Sequence, residues 1–322
     1  RSLEHLEQFD VLAAGGRISF PHVLDIDCDS SEMAQQRLAA YLERYGRLLH
    51  RAGLRRLHRS AESQARLLAD LARSADWRGE GTASELLYET ALKVQPLSIL
   101  HLARGATRAW QGDTHGAIGA FTRAIAADDG FAEAYYSRGQ AHLRLGELEQ
   151  ARRDFDRAIA LCPEWADADL GRGQVRQETG DLEGAARDFG DVLLKTGKRG
   201  TLVAAGLSLG LIQRELGNLQ ASVDAFEQVI TLDSSNPVAL HGRGLTRHLQ
   251  GELGEAITDL DRAIALAPAD SSAFRDRAMV HHARDDFQSA IADCDQALAL
   301  NPKDARIWCA RGVVRHAQQE LE

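Results

Sequence analysis

From about residue 98 onward, apolar residues return every three or four positions in short runs, each broken by a polar or glycine-containing turn. That spacing predicts helices with one apolar face. In Ala132 to Trp165, AEAYYSRGQAHLRLGELEQARRDFDRAIALCPEW, two such runs flank Leu145-Gly146-Glu147, which predicts a helical hairpin. The pattern repeats with a period of 34 residues. A period of that size marks a solenoid, in which each hairpin offers an apolar face to the next.

Numbering the unit from Ala132, the eighth position is Gly105, Gly139, Gly173, Gly210, Gly244, Ala278 and Gly312 in successive copies. The twentieth is Ala117, Ala151, Ala185, Ser222, Ala256 and Ala290. Small residues at both positions let the two helices of a hairpin approach closely, with Phe121, Phe155, Phe189 and Phe226 filling the space beside them. Gly112, Gly146, Gly180, Gly217 and Gly251 stand where the first helix needs a left-handed residue to end. Pro96, Pro163, Pro268 and Pro302 stop the second helix.

Glycine at eight, alanine at twenty, phenylalanine at twenty-four and a terminal proline together resemble the tetratricopeptide repeat family. The resemblance implies an all-α protein, a right-handed α-solenoid with an atypical N-terminal helical cap. The copies run 98–131, 132–165, 166–199, 203–236, 237–270 and 271–304, with a degenerate copy at 65–97 and a partial one at 305–322; residues 1–64 form a separate N-terminal segment. Where the family usually has leucine at position seven, this chain has Arg104, Arg138, Arg172, Arg243, Arg277 and Arg311, and position eleven is polar. In four copies the arginine coincides with an aspartate at position twenty-three: Arg138/Asp154, Arg172/Asp188, Arg243/Asp259 and Arg277/Asp293. These predict structural ion pairs within or between hairpins, each arginine stem packing while its head meets a carboxylate.

Residues 1–30 do not fit the period, and Arg17 to Ser31 reads as an extended segment. Asp25, Asp27 and Asp29 lack the glycine and glutamate of a calcium loop and read as solvated acids before a helix from Glu32 to about Ala52. The basic face between Arg37 and Arg59 reads as a solvated surface, with a phosphate or acidic-lipid contact as the alternative. One break in the period comes at KTGKRGT, residues 195–201, where a loop of three extra residues, 200–202, would bend the array or present Lys195, Lys198 and Arg199 to a partner. It has no P-loop spacing. Glu322 falls inside an unfinished repeat, so its first helix either caps the array or precedes further chain.

Composition narrows the function. A formal net charge of −9 disfavours general nucleic-acid binding. No apolar run reaches the roughly 18 residues of a membrane span. Cys28, Cys162, Cys294 and Cys309 form no CxxC pair, which suits reduced thiols and a cytoplasmic location better than a disulfide framework or a metal site. No nucleophile, base and orienting group fall together, so neither catalysis nor a cofactor is expected.

The resemblance implies a concave groove lined by positions 5, 9, 12 and 13 of the first helices, holding a peptide or a partner protein. On this chain those positions include Trp110, Tyr136, Gln140, Arg144, Gln174, Gln177, Arg214, His241, His248, Arg275, Met279, His282 and His316. The lysine at five and asparagine at nine of the family's chaperone-tail receptors are absent, which rules out that specialisation. His248, His282 and His316 share position twelve and read as variable groove-edge residues. Alternatively, with Arg275 they accept an acidic segment more tightly as pH falls from about 7.5 to 6. Two functions follow: a protein-interaction scaffold or adaptor, or the regulatory arm of a larger enzyme whose catalytic domain lies outside these residues.

Overall fold

The computed structural model describes residues 61–77 and 81–321. The predicted extended segment, the helix from Glu32, the aspartate run, the basic face and Cys28 lie outside the described residues. The described residues form fifteen α-helices and no strand. In order they are α1 (Ala61–Trp77), α2 (Gly81–Val94), α3 (Ser98–Trp110), α4 (Thr114–Ala127), α5 (Ala132–Arg144), α6 (Leu148–Leu161), α7 (Ala166–Glu178), α8 (Leu182–Leu194), α9 (Arg199–Glu215), α10 (Leu219–Leu232), α11 (Pro237–Gln250), α12 (Leu253–Leu266), α13 (Ser271–Ala283), α14 (Phe287–Leu300) and α15 (Ala305–Leu321).

The chain divides into two compact units, one up to Ala134 and one from Tyr135. In the first, α1, α2 and the start of α3 pack around Leu68, Ala72, Leu87, Tyr88, Ala91 and Leu100, and α3 packs on α4. In the second, α7 pairs with α8, α9 with α10, α11 with α12 and α13 with α14. Each second helix also packs on the first helix of the following hairpin. First helices further touch one another, α7 with α9, α9 with α11, α11 with α13 and α13 with α15, so their residues share one face. Fold class and hairpin periodicity thus follow the apolar pattern.

Position eight is small because a ring occupies its space. A Cβ built on Gly173 would sit 2.6 Å from the Phe189 ring, and one on Gly210 would sit 2.7 Å from Phe226. Phe155, Phe189 and Phe226 are fully buried in those contacts. The first helices end as expected: Gly112, Gly146, Gly180, Gly217 and Gly251 all have φ between 74° and 87°. In the 271–304 copy Asp285 takes that place at φ 60°, a conformation aspartate tolerates better than most residues. Asp113 and Asp181 cap second helices by accepting from the amides of Gly116 and Gly184.

The three extra residues do not form the expected loop. Residues 200–202 lie in the first turn of α9, and Thr201 is buried with its hydroxyl donating to Asp167 at 2.5 Å. The basic residues are engaged within the chain: Lys195 bonds Asp169, Lys198 Nζ lies 3.7 Å from Asp167, and Arg199 Nη2 lies 3.4 Å from Asp233. Asp167 of the first turn of α7 thus bonds the helical extension at Thr201, while Lys198 and Arg199 stay largely exposed.

All four predicted arginine–aspartate pairs form within their own hairpins. Nε and Nη2 of Arg138 donate to Asp154 at 2.8 and 2.7 Å, and those of Arg243 to Asp259 at 2.8 and 2.7 Å. Arg172 grips Asp188 at 3.0 and 2.7 Å, and Arg277 grips Asp293 at 2.8 and 2.6 Å. The arginine also reaches back to position twenty-five of the preceding hairpin: Arg172 Nη1 donates to Asp156 at 3.1 Å, and Arg277 Nη1 to Asp261 at 2.5 Å. Each of these two arginines fastens a hairpin internally and to its neighbour. The polar eleventh position adds a second cation, since Arg176 and Arg247 donate to the same aspartates at 2.7 and 2.8 Å. Arg104, whose copy has Ala120 at position twenty-three, instead pairs with Glu85 of α2, as does Arg108.

The aspartates are buried, and burial pushes the Asp188 carboxyl above its ordinary value against the pull of Arg172 and Arg176. Removing Asp188 would take from the half-buried Arg172 and Arg176 the buried carboxylate they share, leaving Arg172 only its bond to Asp156. Asp188→Ala should therefore destabilise the second unit by roughly 3 kcal/mol or more, read as a lower urea midpoint. Glu149→Ala removes only exposed pairs with Arg152 and Arg153 and should leave that midpoint unchanged. A second expected outcome concerns the glycines. Gly173→Ala should cost roughly 1–3 kcal/mol by pressing on the Phe189 ring. Gly190→Ala meets nothing within 4 Å and should gain about 0.5–1 kcal/mol from helix propensity. Equal effects of the two substitutions would remove the close-approach account.

Candidate functional site

The residues expected to bind a partner fall into three groups. Trp110 lies in the first unit at the end of α3, 74% exposed. The others lie in the second unit, on its first helices. There Tyr136 of α5 stacks against Trp165 with ring centroids 4.6 Å apart, meets Phe155 at 5.9 Å, and accepts from Gln140 Nε2 at 3.5 Å. Burial, helped by the Asp167 charge, holds the Tyr136 phenol above its ordinary pKa. Tyr136 is thus half scaffold and half surface. Arg144 and Gln177 are exposed, and Gln174 is half-buried.

The densest group gathers on α9, α11 and α13 around Asp276. His241 Nε2 lies 2.7 Å from one carboxylate oxygen, while Arg275 Nε donates to the other at 2.8 Å. Asp270 stands 3.9 Å from the other ring nitrogen of His241. Arg214 extends from α9 over α11, where its Nη1 donates to the carbonyl of Gly242 at 3.4 Å. Arg214 differs from Arg138, Arg172, Arg243, Arg275 and Arg277, which all bond a carboxylate: it has none within salt-bridge reach among the described residues. Burial disfavours its charge and lowers its pKa, while the Asp276 field pulls the other way. His248, also half-buried near Asp276, has a buried Nδ1 without a hydrogen-bond partner. Exposed beside these groups are Leu211 at 42% and Leu249 at 58%.

The histidines of position twelve do not behave alike. His248 is half-buried, and that burial lowers its pKa below the ordinary value of 6.5. His282 meets the Phe287 ring edge-on at 5.9 Å, whereas His316 is exposed. Protonation of all three between pH 7.5 and 6 therefore does not describe His248, which stays neutral further down. Met279 packs beside the Ala278, Ala290 and Cys294 cluster and contributes mainly to packing.

Asp276 escaped the sequence reading, although a signal for it exists. Position six is Ala103, Ser137, Gly171, Ser208, Gly242 and Ala310 in the other copies, and a carboxylate breaks that run of small residues. No set of three or more His, Cys, Asp or Glu residues able to hold a metal occurs among the described residues. No helix among them is long and apolar enough to cross a membrane.

Comparison with known proteins agrees with the repeat reading. One tetratricopeptide repeat model matches residues 132–165, and another matches residues 207–271, 250–305 and 275–322. The crystal structure of YrrB, described as a tetratricopeptide repeat protein with an unusual peptide-binding site, is similar at 20% identity. The match has a TM-score of 0.55 and covers 61% of this chain and 99% of that one. PilF of Pseudomonas aeruginosa matches at 16% identity and TM-score 0.56, over 66% of this chain and 95% of its own. A tetratricopeptide repeat protein from Parabacteroides merdae matches at 18% identity and TM-score 0.51, over 78% and 99% respectively. At such identities these likenesses speak for the fold alone. Comparison with curated proteins gives no sequence match. With the repeat models matching residues 132–165 and 207–322 and the hairpins stacked as described, these residues carry tetratricopeptide repeats, and arrays of that family are in general non-catalytic scaffolds for protein–protein interaction.

Proposed function

We propose that this chain is an adaptor whose first-helix face in the second unit receives a peptide segment of a partner protein. The observation that carries the reading is Arg214, a half-buried cation with no carboxylate within salt-bridge reach among the described residues, with Leu211 exposed one turn before it on α9 and Leu249 exposed on α11. A guanidinium kept partly dry and unpaired gains most from a charge-assisted bond to an incoming carboxylate. Its neighbours favour a segment in which an acidic residue is bracketed by large apolar side chains. Tyr136, Trp165 and Gln140 extend the same face toward α5 and suit a second, aromatic or amide-containing anchor. YrrB, which shares the fold and has a peptide-binding site, lends support by analogy. A reducing cytoplasmic setting fits the free thiols of Cys162, Cys294 and Cys309.

Selection of peptides from a displayed random library on the immobilised chain tests this reading. Arg214→Gln and Leu249→Ala should each weaken the selected peptides about tenfold, the equivalent of about 1.4 kcal/mol. Arg153→Gln, on the exposed surface of α6, should leave them unchanged. Peptides without acidic residues, or equal binding by all variants, would remove the reading.

The lowered pKa of His248 predicts a pH effect on stability. Below about pH 6.5 the unfolded chain takes up a proton that the folded chain resists. The contribution of this side chain is therefore complete above that pH and is lost as pH falls through the lower folded value. Asp276 is the charge that opposes the shift. His248→Gln should shrink the fall in thermal midpoint between pH 7.5 and 5.5, as followed by circular dichroism.

A further inference from the structure

Asp276 stands where the other copies keep a small residue, and it spends its charge on two side chains of neighbouring first helices. Both of its oxygens are engaged: Oδ1 accepts from Arg275 Nε at 2.8 Å and lies 2.7 Å from Nη2, while Oδ2 lies 2.7 Å from His241 Nε2. The carboxylate is buried, and Arg275 and His241 each keep only 17% of their side-chain surface. Scaffold arginines take their carboxylates from another helix, as Arg172 does from Asp188 and Asp156 and Arg243 from Asp259, and so fasten helix to helix. Arg275 takes its carboxylate from the next residue of its own helix, and that bond joins no two elements. Its effect is electrical, because it cancels the guanidinium at position five of α13. The His241 contact alone ties α11 to α13. The charge of Asp276 also reaches Arg214 and His248. The acids nearby are committed elsewhere: Asp270 accepts from the amide and hydroxyl of Ser272, and Asp304 is held by Arg306.

We infer that Asp276 is a specificity-determining residue: a built-in carboxylate that occupies Arg275 and His241 in place of a partner's acid, so that the face admits one acidic side chain at Arg214 and turns away a second at α13. The inference rests on the peptide-binding reading given above and deepens it by fixing how many acids the partner segment carries. Discrimination here works by repulsion as well as by attraction. A partner carboxylate arriving at Arg275 meets a guanidinium whose Nε and Nη2 already face Asp276, with a like charge behind it. The same approach at Arg214 meets a guanidinium whose one partner is the Gly242 carbonyl at 3.4 Å. Serine stands at position six in two other copies, as Ser137 and Ser208, and alanine or glycine in the rest, so the repeat tolerates the loss of this carboxylate. Without it Arg275 and His241 become a second anion-binding pair, and the preferred segment changes from one acidic residue to two.

The test runs the displayed-library selection on the immobilised full chain and on Asp276→Ser in parallel. The native chain should select peptides with one acidic residue between apolar ones, and Asp276→Ser peptides with a second acidic residue at a constant number of residues from the first. Two synthetic peptides that differ only by Glu or Gln at that second place give the magnitude by calorimetry. The Glu peptide should bind Asp276→Ser at least tenfold more tightly than it binds the native chain, and the Gln peptide should show no such gain. Asp276→Asn, which keeps the volume of the side chain and removes its charge, should move the preference in the same direction, and adding Arg275→Gln to Asp276→Ser should abolish it. Selection of the same peptides by the native chain and both variants, or of two-acid peptides by the native chain, overturns the inference and leaves the Arg214 reading standing. Native selection without acidic residues removes that reading and this one with it. Loss of the cooperative thermal transition in both Asp276→Ser and Asp276→Asn also overturns the inference, because the residue would then serve the scaffold.

Discussion

Everything in the second unit depends on how closely the two helices of a hairpin approach. Glycine or alanine at position eight lets the partner helix bring its position-twenty-four side chain directly over the backbone, and the buried rings of Phe155, Phe189 and Phe226 record that approach. Close packing of this kind is intolerant of added volume, because interiors at crystal-like density have no slack to share. It also explains how so many alanines and so few aromatics build a core. A ring seated on glycine and alanine excludes water as effectively as larger pairs set further apart.

The arginine clamp works on top of that geometry. A bidentate guanidinium needs its carboxylate at fixed distance and orientation, which only helices already held close can supply. In return it fastens hairpin to hairpin, as Arg172 shows by bonding Asp188 and Asp156 together. The 203–236 copy departs from this scheme. Its Leu209 and Ala225 replace the charged pair, and Ser222 donates to the Gly210 carbonyl at 2.7 Å and lies 3.1 Å from the Thr246 hydroxyl. The same copy follows the helical extension at 200–202 and supplies Arg214. Where the scaffold needs no cation, a cation is left over at the surface.

That distinction separates structural from functional charge in a chain rich in both. Most half-buried arginines of the second unit are consumed by the array, and their carboxylates with them. Arg214 stands apart on the face shared by the first helices, beside exposed leucines and a hub of two hydrogen bonds on Asp276. In the function proposed above such exceptions serve recognition, because the repeating residues are committed to holding neighbours together.

The sequence by itself determined the parts that depend on period. Helix pairs, the small eighth position, the left-handed glycines, the prolines beyond four of the hairpins and the four arginine–aspartate pairs all follow from spacings of 34 or 16 residues along one chain. Local geometry fixes them, so counting along the sequence suffices. Tertiary structure alone decided the rest. The extra residues at 200–202 lie in a helix where Asp167 of α7, from another hairpin, accepts from the Thr201 hydroxyl. His248 and His282 occupy one position of the repeat and are both half-buried, yet His282 meets the Phe287 ring while burial near Asp276 lowers the His248 pKa. Asp276 gathers residues from α11 and α13 and lies near Arg214 of α9, a convergence that no period encodes. Repetition writes the scaffold into the sequence, while only the stacking of neighbours brings the exceptions together.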